Sequence, residues 1–136
     1  MREILFRGKR VDNGEWVEGY CAAEPYTKNT YNHGYILENE KDLFAKKAWL
    51  VDSRTVGQFT SLTDKNGKKI FEGDIVKFPH GTKSMNGKIE YIEEDCIYYL
   101  TYKTSRVPFG VFFNGFELEI IGNIHDNPEL LEEEEE

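Results

Sequence analysis

Glu72 and Asp74 stand two residues apart in the stretch from Ile70 to Val76, and a continuous strand would aim both carboxylates at one face. Such a pair could hold a divalent cation through oxygen or divide acid and base work between its members. With His80 a few residues on, it outlines a metal-dependent hydrolase. The competing reading is a solvated or turn-capping pair, since no third ligand follows at diagnostic spacing. The loop opening Asp64-Lys65-Asn66-Gly67 superficially matches a calcium loop, but its sixth position is Lys69 where glycine is needed and its twelfth is Ile75 where glutamate is needed. His33, His80 and His125 share no HxH or HxxxH spacing. Phosphate-binding glycine loops and the GxSxG elbow are absent from the sequence. The residues therefore name no catalytic group, no cofactor and no metal set, and the expectation is a non-enzymatic protein.

What must position these residues is announced by turn chemistry. Asn-Gly occurs at Asn13-Gly14, Asn66-Gly67, Asn86-Gly87 and Asn114-Gly115, with His33-Gly34 as a weaker relative. Type I′ hairpin turns need positive φ at both central residues, which asparagine and glycine tolerate at low cost. Strand-like runs flank these turns at Ile4–Val11, Trp16–Cys21, Ile70–Phe78, Lys88–Ile92, Ile97–Tyr102, Phe109–Phe113 and Phe116–Ile121. The fold class expected is mainly β, with antiparallel strands and a small barrel. Residues 42–51 match helical spacing only in part, which predicts an irregular or helical turn and then a strand from Ala48. Asn127, Pro128 and Glu129 read as cap, first position and favourable charge of a short C-terminal helix anchored by Leu130 and Leu131. A soft boundary near 60–67 separates a hairpin and irregular segment (1–60) from a barrel (61–128), with an acidic tail (129–136), all within one compact unit.

The aromatic segment around Asn114-Gly115 exceeds what a core requires. Phe109, Phe112, Phe113 and Phe116 surround the turn, and strand alternation cannot place neighbouring Phe112 and Phe113 on one face. Pro108 marks a strand start or an edge. Either a loop covers the second face or the surplus ring meets another chain. These four phenylalanines form the candidate interface of a homo-oligomer.

Charge narrows the partners. The formal net charge of −8 comes from 25 acids against 17 Lys and Arg. Setting aside Glu129 and Glu132–Glu136 leaves 19 acids and a net of −2, so the acidity belongs to one run of like charges that cannot bury itself. A near-neutral body lacks the dominant basic field of a nucleic-acid binder. Basic clusters exist at Arg2, Arg7, Lys9 and Arg10 and at Lys65, Lys68 and Lys69, but without a recognition-helix pattern. The longest nearly apolar stretch, Val107–Phe113, contains Pro108 and is only seven residues, far short of the ~20 a membrane helix needs. No secretory core follows the first residues. Cys21 and Cys96 form no CxxC and read as buried or free thiols. The expected location is cytoplasmic, in a bacterial host cell.

The segment Thr55–Val76, with Asp64, Asn66, Gly67, Glu72, Gly73 and Asp74 at its signature positions, resembles the YopX family of phage and prophage proteins, as do Arg2–Arg10 and Ile120–Leu131. The resemblance implies an SH3-like barrel in the second half and supplies no catalytic residues, because the family's activity is not established. Ser61 stands where the family usually has glycine, which implies that this position needs no glycine-only backbone. Physically, the signature is a turn (Asn66-Gly67), sheet-filling apolar residues, a bend at Gly73 and two aspartates that accept backbone N–H groups. The functional expectation is an uncharacterised phage- or prophage-type accessory protein that binds proteins or assembles with itself, its partner another copy or an unidentified phage or host protein. A nucleic-acid-associated module with Tyr98 or Tyr102 as stacking platforms is the alternative from a different class.

Overall fold

The computed structural model describes residues 4–21, 33–37, 48–109 and 117–132. The chain divides into two compact units, Met1–Phe59 and Thr60–Glu136. The architecture is mainly β and antiparallel, with a partially closed sheet of the kind a small barrel requires. No helix among the described residues is long and apolar enough to cross a membrane.

The first unit holds β1 (Phe6–Arg10), β2 (Trp16–Cys21), β3 (His33–Leu37) and most of β4 (Ala48–Thr63). Asn13-Gly14 lies in the reversal from β1 to β2, but only Gly14 takes positive φ, at +75°, and five residues separate the strands, so this is not the two-residue type I′ turn its letters predict. β2 pairs with β3, β3 with β4, and β4 returns to β1, which closes a ring of four strands. Ring closure removes the exposed edges that open sheets carry. His33-Gly34 is not a turn: both residues lie in β3, where Gly34 sits opposite Val51. Residues 48–51 are strand, as expected, and the helical turn anticipated before them lies outside the described residues. Between Arg7 and Lys9 the register on β4 shifts past the extra residues around Arg54. There the Thr55 hydroxyl accepts the Lys9 N–H at 2.9 Å, a bond the interrupted ladder would otherwise lose.

In the second unit, β5 (Lys69–Phe71) pairs with the end of β4, and β6 (Asp74–His80), β7 (Lys83–Ile92), β8 (Ile97–Tyr102), β9 (Ser105–Pro108) and β10 (Glu119–Asn123) form a sheet ordered β10-β6-β7-β8-β9. Alternation puts Val76, Phe78, Ile89 and Leu100 on the inner face, where they join Ile70 and Leu118 in one buried cluster. Each such side chain contributes about 1.5–3 kcal/mol by leaving water.

Asn86-Gly87 is not the third hairpin turn. Both residues lie inside β7, and β6 reverses instead through Gly81-Thr82, with Gly81 at φ +67° between the paired His80 and Lys83. Gly87 serves packing: a Cβ there would lie 2.9 Å from both Leu100 Cδ1 and the Thr101 carbonyl oxygen. The C-terminal segment 128–131 is a 3-10 turn, and Asn127 does not cap it. The Asn127 side chain accepts the Asn123 N–H at 3.2 Å instead, binding the turn to β10. The fourth Asn-Gly pair and the end of the glutamate run lie outside the described residues.

Ser61 corrects a further expectation. It holds φ +79° within β4, a left-handed conformation that costs an L-residue roughly 1–2 kcal/mol. The position does favour glycine, and Ser61 is strained there. Ser61→Gly is expected to raise stability by about 0.5–1 kcal/mol after the greater unfolded-state freedom of glycine is deducted. Differential scanning calorimetry should show the midpoint rising by roughly 2–4 °C.

Candidate functional site

The signature residues converge on two buried carboxylates. Asp64 follows β4 at 3% exposure. Its Oδ1 accepts the N–H groups of Asn66 at 2.8 Å and Lys68 at 2.9 Å, closing the turn through Gly67 at φ +83°. Its Oδ2 accepts the Ile120 N–H at 3.0 Å, joining that turn to β10. Burial by itself would raise the Asp64 carboxyl, but the bonds from Ile120, Lys68 and Asn66 and the charge of Lys68 outweigh it and hold the group below its ordinary value. Asp74, 1% exposed, accepts the buried Phe71 N–H at 2.7 Å. Between them Gly73, at φ +94°, donates to the Ile89 carbonyl at 2.7 Å and accepts from Ile124 N–H at 2.9 Å.

This geometry removes the premise of a one-face carboxylate pair. Glu72 and Gly73 form a turn between β5 and β6, so no continuous strand carries Glu72 and Asp74 together. Asp74 is buried while Glu72 is half-buried in the turn. His80 is exposed at the opposite end of β6 from Asp74, about 20 Å away at strand rise. The three groups do not meet at a shared point. Among the described residues no group of three or more His, Cys, Asp and Glu side chains is placed to hold a metal. His125 is half-buried beside β10, its N–H donated to Asn123 Oδ1 at 2.9 Å, and the side chain of His33 lies outside the described residues.

The aromatic residues separate into two groups. At the tip of the β7–β8 hairpin, Tyr91 packs edge-on against Tyr98 with ring centroids 5.1 Å apart. At the other end, Tyr102 meets His80 at 5.4 Å and Phe78 at 5.0 Å. On the outer face, the Tyr99 hydroxyl donates to Asp95 at 2.6 Å, which holds the phenol above its usual value. Arg106 lies over the same ring at 5.4 Å. Beside it, the Thr101 hydroxyl donates to Glu90 at 2.7 Å. Of the four candidate interface phenylalanines, Phe109 packs partly buried against the core, while Phe112, Phe113 and Phe116 lie outside the described residues. The sequence reading missed the His80–Tyr102 contact. Its signal was the pairing of two short turns, which only the strand register could bring side by side.

A family model described as YopX protein matches residues 5–132. The chain belongs to the YopX family. The solved structure of protein EF1440 from Enterococcus faecalis is similar to it, with a TM-score of 0.59 and 22% identity over 97% of this chain and 100% of that one. That likeness carries the fold alone. No relative was found among functionally curated proteins. In this YopX member, the family's signature positions are thus the ones that build the turn at Asn66-Gly67 and the bend at Gly73.

Proposed function

We propose that this YopX-family protein is a non-enzymatic interaction module that assembles with copies of itself, acting in the cytoplasm of a bacterium that carries the phage or prophage encoding it. The observation that carries the reading is the tip of the β7–β8 hairpin. Tyr91 is 39% exposed and Ile97 40% exposed, and the register opposes Tyr91 to Tyr98 and Ile97 to Ile92, so the two lie on opposite faces. A hairpin with apolar side chains on both faces gains by meeting another chain. The adjacent rings of Phe112 and Phe113 support the same conclusion from sequence. Cys96, a free and exposed thiol beside Ile97, suits a reducing compartment. In the signature block, Asp64 and Asp74 are engaged by backbone N–H groups, which supports a role outside catalysis.

Light scattering across micromolar concentrations tests the proposal. The expected mass exceeds that of the 15.9 kDa chain, and Ile97→Lys or Phe112→Glu lowers it. A monomer at every concentration, unchanged in either variant, rejects self-assembly.

A further inference from the structure

An asparagine followed by glycine can close on its own backbone. The glycine nitrogen, once deprotonated, attacks the side-chain carbonyl carbon of the asparagine. A C–N bond forms, the bond to Nδ2 breaks, and the side-chain nitrogen leaves as ammonia. Water then opens the cyclic imide at either carbonyl, giving aspartate or isoaspartate. The sequence of steps consumes one water and needs no oxidant, reductant or cofactor. Glycine favours it, having no Cβ to shield its nitrogen and a backbone that turns freely.

The three Asn-Gly pairs among the described residues meet this chemistry in different settings. Asn86-Gly87 is closed to it. Pairing with Lys77 and Val76 of β6 fixes its backbone, Asn86 Nδ2 donates to the Leu130 carbonyl at 3.0 Å, and Gly87 is buried. Asn13-Gly14 is exposed, but the Asn13 side chain is held where its Oδ1 accepts the Glu15 N–H at 3.0 Å. Asn66-Gly67 is open. Lys65 to Lys69 are all exposed, and no heavy atom beyond the chain neighbours lies within 4 Å of where a Cβ on Gly67 would stand. Asn66 is tied through its backbone N–H to Asp64 Oδ1, and among the described residues no hydrogen bond holds its side-chain amide. One restraint remains, the Gly67 N–H donated to the Asp64 carbonyl at 3.0 Å. It must open before the nitrogen can attack, and an exposed turn opens at low cost.

We infer that Asn66 is a site of self-modification, where the chain converts its own asparagine to aspartate and isoaspartate. The isoaspartate product bears on the signature turn. It places an extra methylene in the main chain between the N–H groups of residues 66 and 68, which both donate to Asp64 Oδ1, at 2.8 and 2.9 Å. The lengthened chain no longer spans that pair of bonds. The new carboxylate also stands beside the buried Asp64 charge and opposes it. The modification therefore loosens the turn between β4 and β5 as the protein ages.

Incubation at physiological temperature and mildly alkaline pH tests the site. Chymotryptic peptide mapping by mass spectrometry locates the conversion, and protein isoaspartyl methyltransferase labels the isoaspartate. A synthetic peptide, acetyl-Asp-Lys-Asn-Gly-Lys-amide, sets the unrestrained rate. Asn66 is expected to convert first, about fivefold more slowly than the peptide, the effect of one hydrogen bond that must open. Asn13 should follow, and Asn86 should lag Asn66 by roughly a hundredfold or more, since it reacts only when the sheet opens. Asp64→Ala, which frees the turn, should bring Asn66 to the rate of the peptide and leave Asn13 unchanged. Aged protein should unfold at a lower midpoint than fresh Asn66→Asp, which adds the charge without the methylene. Asn66 intact after the peptide has fully converted overturns the inference. So does conversion at Asn13 or Asn86 ahead of Asn66, or an Asn66 rate that Asp64→Ala leaves unchanged.

Discussion

Asp64→Ala is expected to lower the unfolding free energy by about 2 kcal/mol, because three backbone N–H donors lose a buried, charged acceptor. Two of the donors, Asn66 and Lys68, close the turn between β4 and β5, and the third, Ile120, belongs to β10. The loss therefore loosens the turn and the sheet edge together. Asparagine cannot rescue the site in full, since its Nδ2 would face a donor where a carboxylate oxygen now accepts. Chemical denaturation at neutral pH measures the loss directly. The same residue sets a pH dependence. Its folded carboxyl lies below the ordinary value, so its contribution is fully present above the usual carboxylate range. That contribution is lost as pH falls through the lower, folded-state value. Asp64→Asn should remove this part of the acid sensitivity and leave a flatter stability profile below pH ~4. Equal slopes in the two proteins would mean that Asp64 is not held as the bonds require.

Gly87→Val is the second large effect, with an expected loss of about 2–3 kcal/mol. One of the two atoms 2.9 Å from its absent Cβ is a backbone oxygen, that of Thr101, which cannot swing aside as a side chain can. The Phe78 ring edge is close behind at 3.3 Å. A branched residue would push β7 away from β8 at the centre of the sheet, next to the paired Ile89 and Leu100. Urea unfolding should show a lower midpoint with a similar slope. An unaffected midpoint would mean that the space beside Gly87 is not closed as these distances require.

The contrast between the Asn-Gly pairs explains how far local reading carries. Asn13-Gly14 and Asn66-Gly67 turn the chain because positive φ at glycine is a local preference. Asn86-Gly87 has the same letters and sits mid-strand, since its glycine answers to Leu100 and Phe78, neighbours brought from other strands. Alternation identified the mainly β class and much of the core, because strand periodicity is written residue by residue. It misread Glu72 and Asp74 because Gly73 ends the strand between them, and spacing of two has meaning only on an unbroken one. Ser61 shows the converse: a left-handed backbone held by its surroundings with no residue type to announce it. The His80–Tyr102 end was equally hidden, since it requires the register of four strands.

The claim that the signature carboxylates give this protein its shape, with no chemistry of their own, meets its most direct test in a thermal-shift screen against Mg²⁺, Mn²⁺, Ca²⁺ and Zn²⁺. A cation held at a hundred times its dissociation constant adds about 2.7 kcal/mol to stability, a rise of several degrees for a chain of this size. The account predicts that every cation leaves the midpoint of the wild-type protein within about 1 °C of its metal-free value. A rise of several degrees with one of them, abolished by Glu72→Gln or Asp74→Asn, would contradict it.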